Sequence, residues 1–323
     1  MKEGAKMSFW QQRVVLVTGA SGFVGSRLVN LLNKKKSKVI ALSNKEIKSI
    51  RGIIDVRGSV ENFQLLNEII KKYKVNTIFH LAAQSIVEIG QDNPIKTFEV
   101  NIRGTWNILE CARENNIQKV VIASTVHVYG DNPKVPFKEE YFPQPSRPYE
   151  TSKACADLLA QSFADTYDLS VEIPRFVNIY GPGDLNFSRL IPKVIKSILQ
   201  GKQPEVWDVG SIRDFLYIDD AITAYLMIAE KRVDNKKRLR IFNFGTGNQI
   251  KIYDLVQKII QIMAKGIKVR IEQLPQDRSN EIKKQYVSIA KAKRELGWYP
   301  KVTLDNGLSK TITWYQGNSH LFI

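Results

Sequence analysis

Tyr149-Glu150-Thr151-Ser152-Lys153 sets a phenol and an ammonium four residues apart, on one face if the segment is helical. Upstream, Gly19-Ala20-Ser21-Gly22-Phe23-Val24-Gly25 lies between an apolar run and a stretch of helical spacing. Glycines in that setting allow a tight turn and close backbone approach. The helix start then offers amide donors and a positive dipole end to a pyrophosphate, so a dinucleotide is expected there. A free phenol ionises near ~10 and is a poor base at neutral pH. A neighbouring ammonium, with the positive charge of an oxidised nicotinamide, favours the phenolate. Lowering the phenol by ~3 units takes about 4 kcal/mol of differential stabilisation, which such charges supply at close range. Tyr149 can then take a proton from an alcohol while hydride leaves the same carbon.

Elements must hold these groups in place. Residues 13–18, 38–42, 77–81, 120–123 and 170–173 are short apolar runs that predict strands. Helical spacing covers 63–73, 97–115 and the segment from Tyr149 to about 167. Strands alternating with helices predict an α/β fold, a doubly wound parallel sheet of Rossmann type. After Tyr180 the pattern loosens, with Gly181-Pro182-Gly183 and a helix over 191–200. Residues 1–180 are therefore expected to form a dinucleotide-binding domain, to which the chain returns at about 215–260. Residues 181–323 are expected to form mainly a smaller substrate-binding domain, and ligands in such folds sit at the carboxyl ends of the strands.

The chain has 323 residues, 43% hydrophobic and 25% charged, which is ordinary for a globular protein. No apolar run approaches the ~20 residues of a membrane span. The start is polar and mixed, without a secretory signal, and holds a second methionine, Met7, able to serve as an alternative start. A net charge of +16 raises nucleic-acid binding as a question. The lysines are spread along the whole chain, no RNA-reading aromatic motif or zinc-finger spacing is present, and solvated lysines are the expectation. No metal site, nucleic acid or membrane partner is expected. Cys111 and Cys155 read as reduced thiols of a cytoplasmic protein.

The glycine spacing and the tyrosine–lysine pair resemble the extended short-chain dehydrogenase/reductase family. Further matching segments come in the same order: Leu81-Ala82-Ala83-Gln84, Asn101, Ser124-Thr125, Pro174 to Gly183, and Arg213-Asp214-Phe215-Leu216-Tyr217-Ile218-Asp219-Asp220. The last two are similar to the nucleotide-sugar epimerase/dehydratase branch. The stretches Pro94 to Asn101, Ser152 to Asp157 and Arg189-Leu190-Ile191-Pro192 are most similar to the group around CDP-glucose 4,6-dehydratase. The resemblance implies a tightly bound NAD or NADP held by Gly19, Ser21, Gly22, Phe23, Val24, Gly25, Ser43, Asn44, Ser59, Val60, Leu81, Ala82, Ala83, Asn101, Tyr149 and Lys153. It implies a nucleotide-diphosphate sugar as substrate. Ser124 and Thr125 would orient the sugar hydroxyl, Gln84, Val126 and His127 would face the sugar, and Asn178 and Arg213 would contact the diphosphate. Arg189 would touch the nucleotide or stand solvated at a helix start. A homodimer paired through the helices from Thr97 and from Tyr149 is implied as well.

Enzymes of this branch oxidise the sugar at C4. Dehydratases then need an acid and a base for elimination, placed directly after the serine–threonine pair. Here those positions hold Val126, which transfers no proton, and His127, whose ordinary pKa near ~6.5 suits a base. Net C4 epimerisation is the favoured expectation. Alternatives are 4,6-dehydration of the CDP-glucose or GDP-mannose type with His127 as base, 4-oxidation or 4-keto reduction, and, more remotely, a non-catalytic dinucleotide-binding protein. The second strand ends Leu42-Ser43-Asn44-Lys45 without the carboxylate usual for NAD, and Ser59 stands where an aspartate is usual, so NAD and NADP both stay open.

Overall fold

Val14–Thr18 (β1) is four aliphatic residues and a threonine with no charged break, the composition of a strand covered on both faces. In the computed structural model, which describes residues 8–47, 50–206, 210–231, 239–263, 270–271 and 282–322, it is the centre of a parallel sheet. Met7 lies outside the described residues. A glycine turn leads to α1 (Phe23–Lys34), β2 (Lys38–Ser43), β3 (Ile54–Arg57), α2 (Phe63–Tyr73) and β4 (Thr77–His80). Next come α3 (Val87–Asp92), α4 (Pro94–Phe98), a π-turn over Glu99–Arg103, α5 (Gly104–Glu114) and β5 (Lys119–Ile122). Ser124–Thr125 (β6), a 3₁₀ turn over Val126–Tyr129, α6 (Pro148–Tyr167) and β7 (Val171–Phe176) continue the chain. The remainder holds β8 (Asn178–Tyr180), α7 (Leu190–Leu199), β9 (Glu205–Val206), β10 (Ile212–Arg213), β11 (Phe215–Tyr217) and α8 (Ile218–Glu230). It closes with β12 (Leu239–Phe244), β13 (Ile250–Lys251), α9 (Ile252–Met263), β14 (Arg270–Ile271), β15 (Lys284–Gln285), α10 (Ala290–Leu296) and α11 (Leu304–Gly317).

Among the described residues the main sheet has the order β12-β7-β5-β4-β1-β2-β3, with β6 paired to β7. Strand β1 pairs in parallel with β2 on one side (Val15↔Val39) and with β4 on the other (Val15↔Thr77). Strand order therefore reverses at β1, and the crevice outside the carboxyl ends of β1 and β4 is where ligands bind in open α/β sheets. The doubly wound fold expected from the sequence is what the structure shows.

Three elements differ from that expectation. β3 is additional: Ile54-Asp55-Val56-Arg57 alternates half-buried and exposed residues, too short and polar to read as an apolar run. α3 is a further short helix. The single helix over 97–115 is instead α4, a π-turn and α5 in succession, because the backbone takes one wide turn around Asn101. Asn93 starts this group, its side chain accepting from the Lys96 amide at 3.0 Å with Pro94 in the first turn.

The chain forms two compact units. The first comprises the described residues of Met1–Ser124, Arg147–Pro174 and Tyr225–Ile241; the second comprises those of Thr125–Ser146, Arg175–Ala224 and Phe242–Ile323. The chain thus passes between the units in β6, just before α6, in β7, in α8 and in β12. In the second unit, α7, α9 and α11 pack together, and Ile191, Val194, Ile195, Leu255, Ile259, Leu308 and Ile312 on them are buried. There Asp214, fully buried, accepts from the Thr246 and Gly247 amides at 3.0 Å and fixes the loop after β12.

The first unit holds a charged cluster inside its sheet. Glu172, fully buried on β7, accepts from Lys119 Nζ of β5 at 2.8 Å and from Arg240 Nε of β12 at 2.9 Å. Burial pushes the carboxyl up and the Lys119 ammonium down, and each is opposed by the other's charge. Removing one member leaves buried charge uncompensated. E172A is expected to lower the free energy of unfolding by about 3–5 kcal/mol, read from urea denaturation.

Candidate active site

The glycine turn comes directly after β1. Gly19 has φ +68, and a Cβ on it would lie 2.7 Å from the Ala82 amide nitrogen just past β4. A Cβ on Gly25 would lie 2.2 Å from the Gly19 carbonyl oxygen, so α1 can approach the turn only with glycine there. Gly22 caps α1 with no side chain of its own, and its amide donates to Gly19 O at 3.0 Å. Phe23 and Val24, half-buried, form the first turn of that helix. At the end of β2 the Ser43 hydroxyl shares a 2.5 Å hydrogen bond with Ser21 and accepts from the Lys45 amide at 3.1 Å, while Asn44 is exposed. Ser59 Oγ donates to Glu61 Oε2 at 2.8 Å, and the Val60 carbonyl accepts from Asn107 Nδ2 at 3.0 Å.

A buried chain of hydrogen bonds joins β1 to α6. Thr18 Oγ1 accepts from the Ala82 amide at 3.2 Å and lies 2.8 Å from His80 Nδ1. His80 Nε2 is 3.2 Å from Thr105 Oγ1, which donates to Asn101 O at 2.6 Å. These partners assign the proton to Nε2: Thr105, having donated, accepts from it, and Thr18 donates to Nδ1. From the π-turn, Asn101 accepts from the Gln84 amide at 2.8 Å and donates to Gln84 O at 2.9 Å and to Ser152 Oγ at 2.8 Å. Ser152 Oγ donates in turn to the Tyr149 carbonyl at 2.7 Å. Leu81, Ala82 and Ala83 run between His80 and Gln84, all half-buried. The Gln84 side chain is occupied at both ends by the Ile86 backbone, at 2.6 and 3.0 Å.

Tyr149 and Lys153 lie on α6, each 8% exposed. Lys153 Nζ donates to the Ala123 carbonyl at 2.6 Å, just beyond β5. Burial pulls its pKa down to about 8, against the opposing pull of Asp157. Ser124 Oγ donates to Asp157 Oδ2 at 2.9 Å. In the sequence Asp157 has no role of its own beyond closing the Ser152 to Asp157 stretch, although its place four residues after Lys153 puts it on the same helix face.

In the second unit, Thr125 Oγ1 accepts from the His127 amide at 3.3 Å and donates to Phe176 O at 3.4 Å, both long bonds. Val126 is 1% exposed, and His127 is half-buried in the 3₁₀ turn. Tyr129 donates to Asn243 Oδ1 at 2.8 Å and accepts from the buried Arg175 at 2.9 Å. Asn178 donates weakly to Asp214 O at 3.5 Å; Arg213 donates to Ile212 O at 3.1 Å and stands in register with Gln285. Arg189 pairs with Asp184 at 3.0 Å. Among the described residues no group of metal-ligating side chains is assembled, and no helix is long and apolar enough to cross a membrane.

A parallel sheet with a glycine turn at its switch point and a buried tyrosine–lysine pair defines an α/β enzyme of dinucleotide-dependent alcohol chemistry. The chain belongs to the NAD dependent epimerase/dehydratase family, whose profile matches residues 15–245. It is 33% identical over 332 residues to UDP-glucuronate 4-epimerase 4 of Arabidopsis thaliana, covering 93% of this chain and 75% of that protein. It is 28% identical over 324 residues to dTDP-D-glucose 4,6-dehydratase of Bos taurus, covering 95% and 89%. Among solved structures it is similar to UDP-glucose 4-epimerase with UDP-glucose from Thermotoga maritima, with TM-score 0.88, 28% identity, and 94% and 99% of the two chains covered. It is likewise similar to dTDP-glucose 4,6-dehydratase from Bacillus anthracis in complex with NAD, with TM-score 0.84, 28% identity, and 95% and 97% covered. The protein is thus an enzyme of nucleotide-sugar epimerisation or dehydration, as the sequence motifs implied.

His80 makes the buried chain sensitive to acid. Burial, then the Lys153 charge, lowers its pKa to about 3. Below its ordinary value near ~6.5 the unfolded chain takes up a proton that the folded chain refuses. Stability present above ~6.5 is therefore lost as pH falls toward about 3. The urea midpoint should fall less steeply with acid in H80Q than in the native protein.

Proposed function

We propose that this protein is a nucleotide-sugar 4-epimerase that uses NAD and acts on a UDP-linked hexose or hexuronate. The observation that carries the choice of reaction is Val126: an apolar side chain, 1% exposed, stands where elimination needs a proton donor. The UDP-glucuronate 4-epimerase relative supports the substrate class. The glycine turn fits a dinucleotide, because the N-cap of α1 is a glycine with no side chain to fill the helix start and Cβ atoms at 19 and 25 would close the cradle. NAD, when bound, supplies an acceptor and donor of hydride at C4 of the sugar. The family's NAD dependence supports NAD over NADP.

In this reading Gly19, Gly22 and Gly25, with the Ser21, Phe23 and Val24 backbone, hold the pyrophosphate. Ser43 and Asn44 hold the adenosine ribose, Ser59 and Val60 border the adenine, and Leu81, Ala82 and Ala83 flank the nicotinamide half. Tyr149 takes the C4 hydroxyl proton and later returns it. Lys153 stabilises the phenolate and holds the nicotinamide ribose. Thr125 orients the sugar, with Gln84, Val126 and His127 around it. Asn178 and Arg213 hold the diphosphate, a task suited to an amide donor and a guanidinium fork. Arg189 meets the nucleotide. The first unit is the dinucleotide-binding part and the second mainly the substrate-binding part. Ile95, Trp106 and Leu158 on α4, α5 and α6 stay 70%, 45% and 52% exposed, which supports a homodimer through these helices. The free thiols Cys111 and Cys155 support a reducing, cytoplasmic setting.

Incubation with UDP-glucuronate, UDP-glucose, dTDP-glucose and CDP-glucose, read by mass and NMR, tests the proposal. An unchanged mass with inversion at C4 is expected. Loss of one water assigns dehydration, with His127 as base, and a change of two hydrogens assigns net redox chemistry. Y149F should retain bound dinucleotide and lose turnover by roughly 10²–10⁴-fold; full activity in Y149F contradicts the assigned base.

A further inference from the structure

We infer that Asp157 is a positioning residue of the hydride-transfer site, the buried carboxylate that holds the Ser124 hydroxyl and balances the Lys153 ammonium one helical turn away. The inference rests on the roles proposed for Tyr149 and Lys153. Asp157 is fully buried, and an isolated carboxylate in that environment is costly unless it is hydrogen-bonded and paired. Its two oxygens accept from Ser124 Oγ at 2.9 Å and from Gln161 Nε2 at 2.7 Å, both neutral donors. Lys153, at i−4 on the same face of α6 and itself 8% exposed, is a charge that offsets it.

The two side chains grip consecutive residues. Lys153 Nζ takes the carbonyl of Ala123 at 2.6 Å, and Asp157 takes the hydroxyl of Ser124. One turn of α6 therefore fixes two successive points of the strand end immediately before Thr125. Ser124 donates its only hydroxyl proton to Asp157 at 2.9 Å and serves the site through that carboxylate, whereas Thr125 donates only over a long 3.4 Å contact to Phe176 O and is the hydroxyl of the pair that can turn to the sugar. Of the elements packed against α6, α3 carries Glu88 and Asp92 and α4 carries Lys96. α6 contributes Tyr149 and, in its first turn, Glu150, which reaches back to the Arg147 amide at 3.4 Å. β4 contributes His80, kept neutral by burial, and α8 contributes Tyr225 beside Tyr149. β5 offers the pair backbone, and the π-turn and α5 offer the neutral Asn101 and Thr105.

An anion beside an ammonium raises its pKa, so removing it lets the ammonium lose its proton at lower pH. D157N keeps the side-chain shape, and rotation of the Gln161 amide and the Ser124 hydroxyl keeps the bonds. Its alkaline limb of kcat is expected to move down by about one pH unit. At pH 8 its kcat should be roughly five-fold lower with an unchanged KM for the nucleotide sugar. S124A should lower kcat and leave the limb where it is, because it removes a bond and no charge. A D157N limb and kcat equal to the native ones, with K153M inactive, overturns the role of Asp157 alone. Activity in K153M refutes the role of Lys153 and this inference with it. If D157N does not fold, D157E and D157S decide: the limb should stay native in the glutamate and move down in the serine, and equal limbs overturn the inference.

Discussion

An ammonium withdrawn from water must be compensated, and much of the first unit is arranged around the one on Lys153. Its hydrogen bond to the Ala123 carbonyl at 2.6 Å ties α6 to the end of β5. Burial alone pulls the group toward the neutral amine, and Asp157 pulls it back. The resulting balance, near pH 8, keeps the ammonium in place at neutral pH while leaving its proton within reach of ordinary conditions. A tyrosine one turn earlier on the same helix thus stands beside a cation that the fold itself maintains.

The strand order places this helix in a defined frame. Because β1 and β4 are adjacent at the point of reversal, the glycine turn after Thr18 and the chain after His80 meet at one edge. The near-contact between Gly19 and Ala82 leaves no room for a side chain, so close backbone approach is built in. Behind it, Thr18, His80, Thr105, Asn101 and Ser152 link the same edge to the Tyr149 backbone through neutral, mutually satisfied hydrogen bonds. A neutral histidine suits that place, since a second buried cation beside Lys153 would destabilise both. The wide π-turn puts Asn101 in a position to hold the Gln84 backbone on one side and Ser152 on the other.

Much of this is legible in the sequence where the signal is local. The apolar runs of β1, β2, β4 and β5 and the helix over 63–73 appear within a residue or two of where periodicity puts them. The glycine turn is legible because its spacing and its flanks agree. β3 is not, since Asp55 and Arg57 face solvent and break the apolar pattern. The π-turn is hidden because one extra residue in a turn barely disturbs helical spacing. Asp157 shares a face with Lys153, yet its partner Ser124 lies thirty-three residues away and is visible only in the fold. The same holds for His80: its type suggests a core residue, and its partners on β1 and α5 explain why a histidine and not an aliphatic side chain stands there.

Oxidation at C4 is common to epimerases and dehydratases, and the fate of the oxidised sugar depends on the groups beside it. In the proposed reading Val126 takes the acid's place and offers no proton, so elimination across C5 and C6 would lack its acid, and return of hydride to C4 would need nothing further from these residues. The position of the C4 hydrogen in the product separates the two most directly. A UDP-sugar substrate carrying deuterium at C4 should give a C4-inverted product of unchanged mass with the deuterium still at C4. Deuterium recovered at C6 in a product lighter by one water would contradict the account.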